Sequence, residues 1–287
     1  MHKLIKAELK RYFISPYYLG TIFILMVLQT RRSTGWIPIL SNLIFWGDQF
    51  MYNNSILAIL LSLFIFAYVY EAYFTRILHM KLILGYTKSQ IFIAETVSCG
   101  ICSGILVAIG NAIYVIRHLY NKEPLELSMS SILINTIIFM SSLSCIAVMI
   151  CSLSLILKKH IFTALILVCT TVCMLQLGTK DISLLTFSES TLVIQEENET
   201  DEGKFFIANN LRVNDTVRSL LNFRVMISPY AQCNYSAYLT TERQEEKPNL
   251  SFLLKENPYH IDFLLSNIML STFVICIGSN IFKRQDI

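Results

Sequence analysis

Six long, nearly uncharged apolar stretches constrain this chain more than any other feature. A helix needs about 20 residues, within a range of roughly 17–25, to cross the hydrocarbon core of a bilayer. The stretches do not alternate as the strands of a membrane barrel do, so they predict six membrane-spanning helices. They comprise residues 13–30, 55–74, 91–116, 132–157, 161–177 and 261–281.

The composition agrees with a membrane protein. Only 15% of the 287 residues are charged, against about 25% in soluble domains. The mean hydropathy is +0.54, so the apolar surface exceeds what a soluble core would bury. The net charge of +3 is too small to indicate a nucleic-acid partner.

Lysine and arginine predict the orientation, because short cytoplasmic loops carry an excess of both. With the N-terminus inside, eleven such residues lie in cytoplasmic segments and four in short outer loops. We therefore expect both termini in the cytoplasm of a cell, most simply a bacterial one, with the chain in its plasma membrane. The inner set is Lys3, Lys6, Lys10, Arg11, Arg76, Lys81, Lys88, Lys158, Lys159, Lys283 and Arg284; the outer set is Arg31, Arg32, Arg117 and Lys122.

Short segments lie outside the apolar stretches. Residues 1–12 predict an amphipathic helix on the inner membrane surface, with Ile5, Leu9, Tyr12 and Phe13 on its apolar face. The first stretch lacks the small-residue pattern of a signal-peptide cleavage site, so we expect it to be retained. Residues 36–46 are too short to span and predict an interfacial segment, and residues 158–160 predict a bare turn.

Residues 178–260 predict a small extracellular α+β domain. They carry eight basic and twelve acidic residues, and short strands and a helix near Asp215 are expected. The acidic run at 196–202 is interpreted as a solvated loop. Cys233 is expected to be the one cysteine in this outer region, since the other seven lie within the predicted spans.

Motifs for catalysis are missing from the sequence. No G-x-x-x-x-G-K-[ST] loop occurs. Residues 85–89 come nearest, but Thr87 stands where the motif requires its second glycine, directly before Lys88. No H-E-x-x-H or G-x-S-x-G occurs either. The Cys99–Cys102 and Cys169–Cys173 pairs have apolar flanks and favour packing over metal binding. We therefore expect no catalytic site, cofactor or metal.

Four residues within the spans suggest specific roles. Gly100 and Gly104 have the G-x-x-x-G spacing that favours close helix packing, within or between subunits, over a nucleophilic role for Ser103. Glu95 and Glu71 bracket the basic loop at 75–90, and we favour a role for both in holding that loop over simple solvation.

The loop carries a resemblance to a known family. The segment that leads into the third span resembles the first cytoplasmic loop of ABC-2 type permeases. It contains Glu71, then Arg76, then LILGYTKSQI at 82–91. The basic opening at 3–12 and the ending at 282–287 are similar to those of the same family. Glu95 stands where many members have a basic residue. The overall layout resembles that of G-subfamily exporters.

The resemblance implies a transport subunit without its own ATPase. Two copies of a separate ATPase chain would bind a coupling helix at about 75–90, and a second permease copy or a related chain would complete the path across the membrane. The residues implied in coupling are Glu71, Arg76, Lys81, Gly85, Tyr86, Thr87, Lys88 and Ser89.

The second and fifth helices line the path in similar permeases. The corresponding side chains here are Phe64, Tyr68, Thr163, Thr170, Thr171 and Gln176. A peptide, lipid or hydrophobic compound would suit such a path. The cargo and the choice between homodimer and heterodimer stay open. A receptor or immunity protein that displays residues 178–260 is the alternative, and a membrane-embedded enzyme is a third hypothesis.

Overall fold

The computed structural model describes residues 1–30, 49–121, 129–157, 161–185, 190–194, 205–209, 215–238 and 260–285. Within these residues the chain forms ten helices and one strand pair. They are α1 (His2–Ile14), α2 (Pro16–Thr30), α3 (Gln49–Phe74), α4 (Ile77–Ile83), α5 (Lys88–Asn121), α6 (Met129–Leu157), α7 (Ile161–Leu185), β1 (Ser190–Ile194), β2 (Phe205–Asn209), α8 (Asp215–Ile227), α9 (Pro229–Tyr238) and α10 (His260–Lys283).

Five helices in the described chain are long and apolar enough to cross a membrane. Their candidate spans are Leu57–Phe74 in α3, Lys88–Ile113 in α5, Thr136–Leu157 in α6, Thr163–Ile182 in α7 and Ile261–Lys283 in α10. The chain is therefore a helical, multi-pass membrane protein. Each of the five overlaps a stretch predicted from the sequence.

The first predicted span differs from the other five. The chain leaves α1 at Ser15, whose backbone is extended (φ −60°, ψ 132°), and α2 begins at Pro16. Proline disfavours a helical conformation in the residue before it, which explains the break. The 15 residues of α2 rise about 22 Å, less than the roughly 30 Å of a hydrocarbon core. A sixth span is therefore still a prediction.

Helix α6 lies at the centre of the bundle and packs against α3, α5, α9 and α10. Its contact with α5 is close because the predicted packing glycines lie there. A Cβ on Gly100 would lie 3.0 Å from Val148 Cγ2, and one on Gly104 would lie 2.9 Å from Ser144 Oγ. Gly100 and Gly104 therefore serve packing inside one subunit.

Helix α1 buries a different face from the one predicted. Leu4, Glu8 and Tyr12 are buried, whereas Phe13 is exposed. The helix packs against α5 and α2. The partner charges on α4 and α5, described below, explain why a face containing an acid turns inward.

The segment after α7 returns to the bundle. Strands β1 and β2 pair antiparallel, with Ser190 opposite Asn209, and α8 begins at Asp215 as predicted. Helix α9 then packs against α3, α6 and α7. A Cβ on Gly178 would lie 2.7 Å from the Ala231 Cα, so only glycine permits this approach. Cys233, predicted to lie in the outer region, is buried on α9.

Buried amides hold α9 and α10 to α6. Gln232 Oε1 accepts hydrogen bonds from Ser142 Oγ at 2.9 Å and from Asn267 Nδ2 at 2.7 Å. The Gln232 amide nitrogen donates to the Met226 carbonyl at 2.7 Å. Helix α9, which lies within the predicted domain at 178–260, is therefore part of the helical core.

Several predictions fall on residues outside the described ranges. They concern Arg31, Arg32, Lys122, the interfacial segment 36–46, the turn at 158–160 and the acidic run 196–202.

Candidate functional site

Helix α4 lies at one end of the bundle, and a residue with a left-handed backbone conformation stands on each side of it. Arg76 precedes it with φ 57°, and Gly85 follows it with φ 88°. Glycine adopts this conformation without steric penalty, as its position in the loop predicted, whereas Arg76 is strained by about 1–2 kcal/mol. We call this end of the molecule the α4 end.

The start of α5 is set by a reciprocal cap. The Thr87 amide donates to Gln90 Oε1 at 3.0 Å, and the Gln90 amide donates to Thr87 Oγ1 at 3.3 Å. This arrangement satisfies two amides that the first helical turn would leave unpaired. Thr87 therefore has a structural role in the turn between α4 and α5.

Four charged side chains from three helices meet inside the α4 end. Lys81 Nζ on α4 lies 2.6 Å from Glu8 of α1 and 2.5 Å from Glu95 of α5. Arg11 of α1 lies 3.2 Å from Glu95 and 3.3 Å from Glu8. We call Glu8, Arg11, Lys81 and Glu95 the charge cluster.

The charge cluster is buried and formally neutral, since two carboxylates face two cations. The Glu95 side chain is 1% exposed and that of Arg11 is 24% exposed. Burial and the neighbouring Glu95 raise the pKa of Glu8, against the opposing effect of Arg11 and Lys81. Burial is the largest influence on Arg11 and disfavours its charged form. Glu95, Glu8 and the neighbouring tyrosines together outweigh it and raise the pKa of the guanidinium.

An aromatic group completes the cluster. The Arg11 guanidinium lies over the Tyr68 ring at 4.2 Å and donates through Nε to the Tyr68 hydroxyl. Tyr12 stacks on Tyr68 with ring centroids 3.7 Å apart, and Phe64 meets Tyr12 edge-on at 6.0 Å. Phe64 and Tyr68, expected to line a path, instead pack against α1.

The other predicted path residues do not meet at one place in the described chain. Thr163 and Thr171 of α7 are buried, and Thr171 Oγ1 donates to the Leu167 carbonyl at 2.8 Å. Thr170 and Gln176 are exposed on the same helix.

Several of the predicted coupling residues are engaged within the chain. Lys81 belongs to the charge cluster, Lys88 Nζ donates to the Gln285 carbonyl, and Ser89 hydrogen-bonds to Ser279. Tyr86 packs partly buried against the core, and the Glu71 side chain is half-buried. Of the eight, Arg76, Gly85 and Thr87 are exposed.

The outward surface at α4 is mostly apolar, with His79 as an exposed polar residue. Met80 is 58% exposed, Ile83 is 84% exposed and Leu84 is 75% exposed. We call these three residues the apolar tip. The opposite side of the same short helix carries the buried Lys81.

Sequence reasoning identified Glu95 and Lys81 but missed Glu8 and Arg11. One signal was present: Glu8 is four residues from both Leu4 and Tyr12, so an acid sits on an apolar helix face. Glu95 holds the loop through Lys81, as hypothesised. Within the described residues, the contact of Glu71 with the loop is through its backbone carbonyl, which accepts from Thr75. Among the residues described, no three metal-binding side chains lie together.

A comparison with protein-family models and with curated proteins found no match to this chain.

Proposed function

We propose that this chain is the permease subunit of an ATP-binding cassette exporter and that a separate ATPase docks on the apolar tip. The observation that carries the proposal is the pairing of this tip with the charge cluster beneath it. Met80, Ile83 and Leu84 face out from α4, while Lys81 of the same helix faces in. The similarity of this loop to that of ABC-2 type permeases adds support.

The charge cluster would couple α4 rigidly to α1 and α5. Separating Lys81 from Glu8 and Glu95 would leave buried charges unpaired, which costs about 3–5 kcal/mol. A partner that displaces α4 therefore moves α1 and α5 with it rather than stretching the cluster. Closure of a docked ATPase would shift the bundle between two states, because the partner's ligand favours one of them.

The transport path would form between two copies of the permease or between this chain and a related one. Helices α7 and α10 bury small fractions of their spans, 28% and 17% respectively, so both offer apolar surface to lipid or to a second subunit. In this proposal the first predicted stretch, residues 13–30, supplies a sixth span, both termini are cytoplasmic, and β1 and β2 face outside. The cargo class that fits is a peptide, lipid or hydrophobic compound.

The test is photocrosslinking in native membranes. A photoreactive amino acid at Ile83 or Leu84 should form an adduct with a chain that carries a phosphate-binding loop. The matched control is Leu133, which is exposed on α6 at the opposite end of the bundle and should not form this adduct.

A second measurement uses charge at the tip. Ile83→Glu with Leu84→Glu should weaken co-purification of the crosslinked ATPase by tenfold or more, since carboxylates would enter an apolar contact. Crosslinks from the tip to lipid alone would refute the proposal. Adducts of α8 with an external protein, without an ATPase at the tip, would favour the receptor hypothesis.

A further inference from the structure

A cavity of about 430 Å³ opens beside the charge cluster. It lies between α1, the start of α2, the end of α3 and the start of α4. Its polar lining comprises Lys10, Arg11, Ser15, Tyr68 and Glu71, and the remaining lining is mostly apolar. The volume is sufficient for a lipid head group.

Ser15 offers an unused hydrogen-bonding group at this cavity. The residue is 7% exposed, and its hydroxyl has no hydrogen-bond partner within the described chain. Its carbonyl accepts from the amides of Tyr18 and Leu19, both at 3.1 Å, so the backbone alone begins α2. A buried hydroxyl without a partner is unfavourable. A ligand oxygen that enters the cavity would satisfy it.

Two opposite charges line the same cavity without pairing. Lys10 and Glu71 each make no ion pair within the described residues. Arg11 is different, because Glu95 and Glu8 already balance its charge. Within the described residues, the cavity therefore presents a cation and a carboxylate that make no ion pair, which suits a ligand that carries both an anionic and a cationic group.

We propose that this cavity binds the phosphoethanolamine head group of a phospholipid. The phosphate faces Lys10, the Ser15 hydroxyl and the start of α2, and the ammonium group faces Glu71. A primary ammonium donates hydrogen bonds to a carboxylate, which a quaternary choline group cannot do. The Tyr68 face, which would attract choline, is covered by Arg11.

Neighbouring apolar residues indicate a lipid as the source of this head group. Phe13, Ile14 and Tyr17 are 38%, 63% and 41% exposed around the junction of α1 and α2. Acyl chains would cover them while the head group fills the cavity. The inference depends on membrane insertion but not on transport, so it would hold equally for a receptor.

The experiment measures lipid retention by native mass spectrometry. Protein is reconstituted in mixed nanodiscs of phosphatidylcholine, phosphatidylethanolamine and phosphatidylglycerol, then released. Wild-type protein should retain phosphatidylethanolamine preferentially. Glu71→Gln should remove the preference over phosphatidylglycerol, and Lys10→Gln should reduce retention roughly tenfold, as loss of one charged hydrogen bond implies. Lys3→Gln, an exposed change on the same helix, is the matched control.

Three outcomes would overturn the assignment. They are equal retention of the three lipids by wild type, an unchanged lipid preference in Glu71→Gln, and full displacement of the lipid by free phosphoethanolamine. The last outcome would identify a soluble phosphate ester as the ligand. If Glu71→Gln is not monodisperse, Lys10→Gln at an exposed position tests the phosphate side of the site, and unchanged retention in that variant would also overturn the assignment.

Discussion

Glu95→Gln removes one negative charge from the buried charge cluster with almost no change in shape. The carboxylate lies 2.5 Å from Lys81 and accepts bonds from Arg11 at 3.2 and 3.4 Å. In the variant, Glu8 alone faces two cations, and the cluster carries a net positive charge where Glu95 is 1% exposed.

The expected loss of stability follows from this burial. Removing one partner of a buried ion pair costs roughly 3–5 kcal/mol. The lower end applies here, about 3 kcal/mol, because Glu8 remains and the Arg11 side chain, 24% exposed, can turn toward water. At about 2–4 °C per kcal/mol, the Tm should fall by about 6–12 °C.

The assay is thermal unfolding of purified protein in one detergent, followed by tryptophan fluorescence and by loss of the monodisperse peak. Two controls accompany it. Glu71→Gln makes the same chemical change at a half-buried carboxylate that forms no ion pair in the described chain, and it should change stability by less than about 0.5 kcal/mol. Glu95→Gln with Lys81→Met restores a neutral cluster and should recover most of the loss.

Two results would contradict this account of the cluster. One is a Tm for Glu95→Gln within a degree or two of wild type, which would place water around the carboxylate. The other is a double variant no more stable than Glu95→Gln, which would mean that charge balance is not what the cluster supplies.

Three further predictions concern other positions. Burial and a neighbouring carboxylate raise the pKa of Glu8 above its ordinary 4.5. The contribution of Glu8 to stability is therefore present below pH 4.5 and lost as the pH rises through the pKa of the folded state. Glu8→Gln should flatten this part of a plot of Tm against pH, and parallel curves for the variant and the wild type would contradict the prediction. Gly178→Val should displace α9 and lower the Tm by several degrees, because even a Cβ there would overlap the Ala231 Cα, whereas Gly20→Ala, with open space around it, should be neutral. Gly85→Val should destabilise by about 1–2 kcal/mol through its φ of 88° alone, and Gly85→Asn should be milder; equal losses would contradict a backbone origin.

Much of the fold could be predicted from local pattern. The candidate spans follow from apolar length, because each must satisfy its backbone within lipid. The turn at Gly85, the helix start at Asp215 and the packing role of Gly100 each depend on a few neighbouring residues. These features were therefore readable without knowing which helices would touch.

The candidate site was less predictable, because it depends on how helices rotate and pair. Glu71 and Glu95 look alike in sequence, both acidic and near the same loop, yet only Glu95 turns inward to Lys81. Cys233 lies in a segment that the sequence pattern predicts to be outside the membrane. It is buried because α9 packs against α3, α6 and α7.

The sequence by itself determined that this chain is a helical membrane protein and where most of its spans lie, since hydrophobic length is a local property. Only the tertiary structure decided that Glu8 and Arg11, far from the loop in the chain, meet Lys81 and Glu95. The physical reason is that an isolated buried charge is too costly to persist, so each acid and base in the helices must find a partner. Which partner it finds depends on the packing of whole helices, and that information is spread over the entire chain.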